Sequence, residues 1–263
     1  MTSRKECFPI AGITKPFRIL HISDVHFSVN TSCEKNQKII AEILRNTDFC
    51  TGLNLIAVTG DLISRTLGGT SISDALELLN KLRRIAPVAY SLGNHESDLP
   101  ETILSEFLKN CRKSGVLVLN NSSVLIQDII FTGLTLPREI YKNQDGHYSN
   151  LMPVTKKLLL SCIGACISHP CVLLAHSPMG FEAYAQWGAD VVLSGHVHGG
   201  IIRMPVIGGI LSPERRFFPK YTKGVYQSKN IKNCYMNVSA GIGKFRVNNP
   251  SEIICIDLVP VSA

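Results

Sequence analysis

The chain has 263 residues, enough to bury most of its apolar surface in a single core. With 45% hydrophobic and 18% charged residues it has the composition of a folded protein and excludes a disordered one. A net charge of +7 favours anionic partners without separating small phosphates, lipid headgroups and nucleic acid, and no stretch reaches the length of apolar residues needed for a transmembrane helix.

The N-terminal stretch 1–17 is mixed and polar, without the apolar run of a signal peptide or an anchor. The first half then alternates strand and helix signals. Residues 17–23, 55–59 and 87–92 are short apolar runs that predict buried strands. Between and after them, 31–46, 71–82 and 100–113 carry helical stripes, the first with Thr31 or Ser32 as N-cap. This alternation predicts βαβ units and a largely parallel core. Residues 116–119, 124–127 and 129–132 are expected to form an antiparallel meander, 137–150 an exposed loop and 154–167 a helix. Two further buried strands are predicted at 171–175 and 191–194, and a Gly- and Pro-rich tail of short strands ends in the apolar run 253–256. No repeat or long linker divides the chain, so one mixed α/β domain with two sheets is expected over 1–263.

The nine cysteines show no CxxC pair and no zinc spacing. Cys162, Cys166, Cys171 and Cys255 lie in apolar runs and read as small buried hydrophobes. An odd number of scattered thiols points to a reducing, cytoplasmic setting.

Five apolar runs end in the same way. Each stops, often at Gly or Ser, and hard ligands follow at once: Asp24 and His26; Asp61; Asn94 with His95 and Glu96; His176; His196 and His198. In an open α/β sheet, groups outside the carboxyl ends of the strands gather at one edge. Gly60, Gly93 and Gly195 are expected to let the backbone turn sharply there. Two Asp, one Asn and four His, with His95 besides, exceed what one tetrahedral ion needs. Mixed oxygen and imidazole donors suit Mn, Fe or Zn. Two such ions sharing a carboxylate can clamp both oxygens of an in-line displacement.

In order and spacing these residues resemble the calcineurin-like metallophosphoesterases: Asp24-x-His26, Gly60-Asp61, Gly93-Asn94-His95-Glu96, His176 and Gly195-His196-x-His198. The stretch 193–200, with Arg203-Met204-Pro205 beyond it, looks like the bacterial YkuE/YaeI-type phosphodiesterase branch, although Ile201 stands where that branch often has Gln. The resemblance implies a two-sheet β-sandwich flanked by helices. It implies that Asp24, His26 and His198 hold one metal, that Asn94, His176 and His196 hold a second, and that Asp61 bridges them. A hydroxide held by the metals would attack phosphorus, and His95 would protonate the leaving oxygen as general acid. Glu96 would orient His95 or stand exposed at the start of the next loop.

The implied activity is hydrolysis of phosphodiester or phosphomonoester bonds in a phosphorylated small molecule or lipid. Two alternatives stand beside it: a lipid-phosphate or sugar-nucleotide pyrophosphate hydrolase at a membrane surface, and an inactive metal-binding scaffold. Only 7% of residues are aromatic, too few for the stacking path of a nuclease, so nucleic acid is not an expected partner. His21 reads as a core residue or as support behind the ligands. His147 and His169 are not expected to bind metal, and Phe181 and Trp187 read as core. Arg203, Arg215, Arg216, Lys220 and Lys223 could form a basic rim for anions or a peripheral membrane contact, with Arg203 the nearest in sequence to the ligands.

Overall fold

The computed structural model describes residues 1–28, 32–64, 71–167, 170–204, 208–212, 217–243 and 246–261. Thr31, His169, Pro205, Arg215 and Arg216 therefore lie outside the described residues.

The chain opens with strands β1 (Thr2–Ile10) and β2 (Phe17–Ile22). Helix α1 (Cys33–Thr47), β3 (Leu55–Thr59), α2 (Ser71–Arg83), β4 (Val88–Ser91), a single turn α3 (Asn94–Ser97), α4 (Glu101–Lys113) and β5 (Leu117–Val118) follow. Next come β6 (Ser122–Ile126), β7 (Ile129–Leu134), α5 (Lys156–Ile163), β8 (Cys171–Ala175), α6 (Phe181–Trp187) and β9 (Val191–Ser194). The tail holds β10 (Ile202–Met204), β11 (Gly208–Leu211), β12 (Gly224–Gln227), β13 (Tyr235–Val238) and β14 (Glu252–Pro260).

Two six-stranded sheets form, ordered β1-β14-β2-β3-β4-β5 and β12-β13-β9-β8-β7-β6, while β10 and β11 make a separate hairpin. Strands β2 to β5 run parallel, as do β7, β8, β9 and β13. The period-two alternation of side chains explains the layering. Ile19, Leu55, Ala57, Leu174 and Leu193 point between the sheets, where they meet Phe8, Phe17, Phe131 and Ile256. The alternate residues Leu20, Ile22, Ile56, Val58 and Tyr90 pack outward with α1, α2 and α4. On the other side Leu173, Ala175 and Val192 pack with α5 and α6, where Phe181 and Trp187 are core as expected. The result is the expected two-sheet sandwich flanked by helices.

Several boundaries differ. Ser32 caps α1, its side chain accepting from Lys35 N at 3.3 Å. The expected meander is split. The stretch after α4 crosses over to pair β5 in parallel with β4, and only β6 and β7 form an antiparallel hairpin, in the other sheet. Helix α5 is shorter than its apolar run because Gly164, at φ +69°, ends it. The loop 137–150 is not exposed throughout. Ile140, Tyr141 and Lys142 are buried, Tyr141 against the His196 ring and Lys142 with Nζ 3.5 Å from Asp98. Cys255 is not a free buried thiol. It forms a disulfide with Cys50, joining β14 to the turn after α1, and the other seven cysteines form no disulfide. The fold brings the two sulfurs together from 205 residues apart in sequence, which spacing cannot reveal.

Candidate metal centre

The parallel strands β2, β3 and β4 and β8 and β9 all end toward one edge. There the seven expected donors and His95 meet in a buried cluster. Asp24 and His176 are at most 1% exposed, and none of the eight exceeds 8%. Five of them, Asp24, His26, Asp61, His196 and His198, have φ between +52° and +70°. That left-handed conformation is uncommon for residues with a Cβ, and here it recurs at the ligand positions. The turn that aims each donor is thus made by the donor residue itself.

The glycines act differently from expectation. Only Gly60, at φ +78°, supplies a turn. Gly93 and Gly195 supply space: a Cβ on Gly93 would fall on Asp61 Oδ1, and one on Gly195 on Ser23 Oγ and Asp24 Oδ2. The two loops facing each ligand carboxylate can close only because neither has a side chain there.

Asp61 lies at the middle of the cluster. Its Oδ2 is 3.3 Å from His176 Nε2, 3.6 Å from His26 Nε2 and 3.8 Å from His95 Nε2. Its Oδ1 accepts from His95 N at 2.9 Å. Asp24 Oδ1 stands 3.7 Å from both His26 Nε2 and His198 Nε2, and 3.8 Å from His176 Nε2. His196 N donates to both Asp24 oxygens at 3.1 Å. Three overlapping groups of donor atoms could each hold an ion: Asp24, His26 and His198; His26, Asp61 and His95; Asp61, His176 and His196. Asn94 Oδ1 is buried nearby and accepts no hydrogen bond among the described residues.

The electrostatics fit a bound cation. Burial alone would raise the Asp24 carboxyl, but the imidazoles of His198 and His176 outweigh it and hold Asp24 far below the usual carboxylate range. Asp61 is likewise raised by burial and driven well below by His176 and His95. Burial lowers the His176 pKa, yet Asp61 and Asp24 carry it up to about 10. Two buried carboxylates thus demand positive charge, which divalent ions would supply. His26 Nε2 and His198 Nε2 approach to 3.2 Å, a spacing natural for two lone pairs directed at one shared cation. The donor set and the uncompensated Asn94 oxygen fit such ions.

Glu96 is not exposed, and both of its oxygens accept from backbone amides. It is fully buried and ties the loop after β3 to the loop after β4, its Oε2 accepting from Asp61 N at 2.9 Å and Gly93 N at 2.8 Å, its Oε1 from Ile63 N at 3.0 Å. Burial and then the Asp61 charge raise its pKa. Tyr141, absent from the sequence reading, packs edge-on against the His196 ring with centroids 5.0 Å apart. Nothing around Tyr141 in sequence marks it, because it reaches the site from the loop after β7. His147 lies exposed on its loop, apart from the cluster. The basic segment is partly spent on internal pairs: Lys223 Nζ sits 2.6 Å from the buried Glu252, Lys220 stacks over Tyr221, and Arg203 donates to Gly199 O at 3.3 Å.

Sandwich and donor cluster together define a metal-dependent phosphoesterase. The profile of the calcineurin-like phosphoesterases matches residues 17–200, and the chain belongs to that family, a class of hydrolases acting on phosphoester bonds. It is 24% identical over 258 residues to phosphodiesterase YaeI of Escherichia coli, covering 93% of this chain and 83% of that protein. It is 24% identical over 233 residues to the metallophosphoesterase YkuE of Bacillus subtilis, covering 88% and 73%. The metallophosphoesterase Cj0846 of Campylobacter jejuni matches at 24% over 95% of this chain, which spans 61% of that relative's length. The crystal structure of TT1561 of Thermus thermophilus superposes with a TM-score of 0.53 at 12% identity, covering 87% of this chain and 90% of that one, and so shares the fold.

Proposed function

We propose that the chain, as one domain over 1–263, hydrolyses phosphodiester or phosphomonoester bonds of a phosphorylated small molecule or lipid at a two-metal centre. The observation that carries this is the shared position of Asp61, whose Oδ2 lies within 3.8 Å of imidazoles from three different loops. Asp24, His26 and His198 would hold one ion, Asn94, His176 and His196 the other, and Asp61 both. Bound there, Mn, Fe or Zn would supply Lewis acidity at phosphorus and lower the pKa of water. His95 would give a proton from its ring to the leaving oxygen, with the Asp61 carboxylate favouring the charged imidazole. Tyr141 would steady the His196 ring it packs against, and Gly93 leaves room for the Asp61 carboxylate.

No described helix is long and apolar enough to cross a membrane. Seven cysteines outside any disulfide support a cytoplasmic placement, whereas the Cys50–Cys255 disulfide supports an oxidising compartment. Alkylating the thiols in intact cells before purification decides between them.

The test of activity is a screen of the purified Mn²⁺-loaded protein against a phosphomonoester, a phosphodiester and a nucleotide-diphosphate lipid. Hydrolysis of at least one is expected. Two bound ions with no turnover of any of them would overturn the enzyme assignment in favour of a metal-binding scaffold.

A further inference from the structure

Behind the metal centre, a run of polar side chains crosses from one sheet to the other. Arg4 on β1 donates from Nη2 to Asn237 Oδ1 at 2.9 Å. Asn237 lies on β13 in the second sheet, and its Nδ2 meets His21 Nδ1, on β2 in the first sheet, at 3.0 Å. His21 Nε2 lies 2.8 Å from Thr59 Oγ1. Thr59 ends β3, and its carbonyl oxygen receives His176 Nδ1 at 2.7 Å. His21, Thr59 and Asn237 are completely buried, so no water can substitute for a partner that turns away.

The direction of the whole run is fixed at its outer end. A guanidinium has donors and no acceptor, so the Asn237 oxygen must face Arg4 and the Asn237 amide must face His21. His21 Nδ1 is then an acceptor, and the single ring proton of a neutral imidazole sits on Nε2, where it donates to Thr59. Burial and the Arg4 charge hold His21 neutral, with a pKa of about 3. The opposite tautomer would set two donors against each other at Nδ1 and leave Thr59 Oγ1 without this one. His176 donates from Nδ1 to the Thr59 carbonyl, which leaves Nε2 as the nitrogen that faces Asp61 and Asp24 and that a cation would take in place of a proton.

We infer that Arg4, Asn237, His21 and Thr59 are positioning residues for His176: a polarity set by Arg4 is passed between the sheets and fixes the strand end that orients this imidazole. The inference rests on His176 being a metal ligand. Groups behind a ligating histidine typically contribute about 10- to 100-fold to metal affinity.

The test compares four variants of the full-length protein. His176→Ala is expected to lose one of the two ions in calorimetric Mn²⁺ titration; retention of both would remove the ligand assignment itself. His21→Leu is expected to weaken one ion about 10- to 100-fold and to lower kcat with little change in KM. His21→Gln, which can still present an N–H to Thr59, is expected to restore most of that affinity. Arg4→Met lies far from the ligands and leaves His21 in place. In ring ¹⁵N spectra of the Zn²⁺-loaded protein, His21 should carry its proton only on Nε2, and Arg4→Met should populate both tautomers. Wild-type affinity for both ions in His21→Leu, with one ion lost in His176→Ala, would overturn the positioning role. So would an Arg4→Met spectrum identical to that of the wild type, which also decides the matter if His21→Leu does not fold.

Discussion

Replacing Glu96 by alanine strands three buried amides at once, those of Asp61, Ile63 and Gly93. A hydrogen bond to a charged group contributes about 1.5–3 kcal/mol, so the three together could be worth roughly 4–9 kcal/mol. Part of this is offset, because the carboxylate is itself buried beside Asp61 and its removal relieves desolvation and repulsion. We expect Glu96→Ala to lose about 3–5 kcal/mol of stability, which for a domain of this size lowers Tm by roughly 10 °C. Glu96→Gln keeps one good acceptor and misaligns an amide with a single N–H, so it should lose about 1–3 kcal/mol. Calorimetric melting with metal content measured on the same samples checks the series. The bound metal should fall in the same order, since Asp61 and Asn94 sit on the loops that Glu96 joins. An alanine variant that melts no lower than the glutamine variant would refute the claim that the three amides depend on this carboxylate.

Asp61→Asn removes the charge between the three imidazoles; one ion should be lost and turnover should fall by orders of magnitude, as measured by metal analysis and kcat. Retained turnover would show that Asp61 is not shared between the ions. Reducing the Cys50–Cys255 bond, or replacing both cysteines by alanine, releases a loop of 205 residues and should cost up to about 5 kcal/mol by the chain-entropy estimate. Urea unfolding with and without reductant measures this, and equal midpoints would contradict it.

Much of the site was legible in the sequence because its signal is local. An apolar run followed at once by Asp, Asn or His states both that a strand ends and what it carries, and five repetitions place those groups on one edge. The strands and first-half helices were legible for the same reason, since periodicity needs only neighbours in the chain. The partners were not legible. That Glu96 ties two loops through three amides, that Gly93 and Gly195 are gaps for carboxylates, that Tyr141 packs on His196 and that Cys50 joins Cys255 all depend on which surfaces the fold brings together. So does the place of β5, because a two-residue strand has no period of its own and takes its sheet from the helix that delivers it. Local residue order says which donors exist and at which strand ends they stand. How far apart they stand and what holds them come from the folded chain, because those distances are set by contacts between residues tens to hundreds of positions apart, which no local pattern encodes.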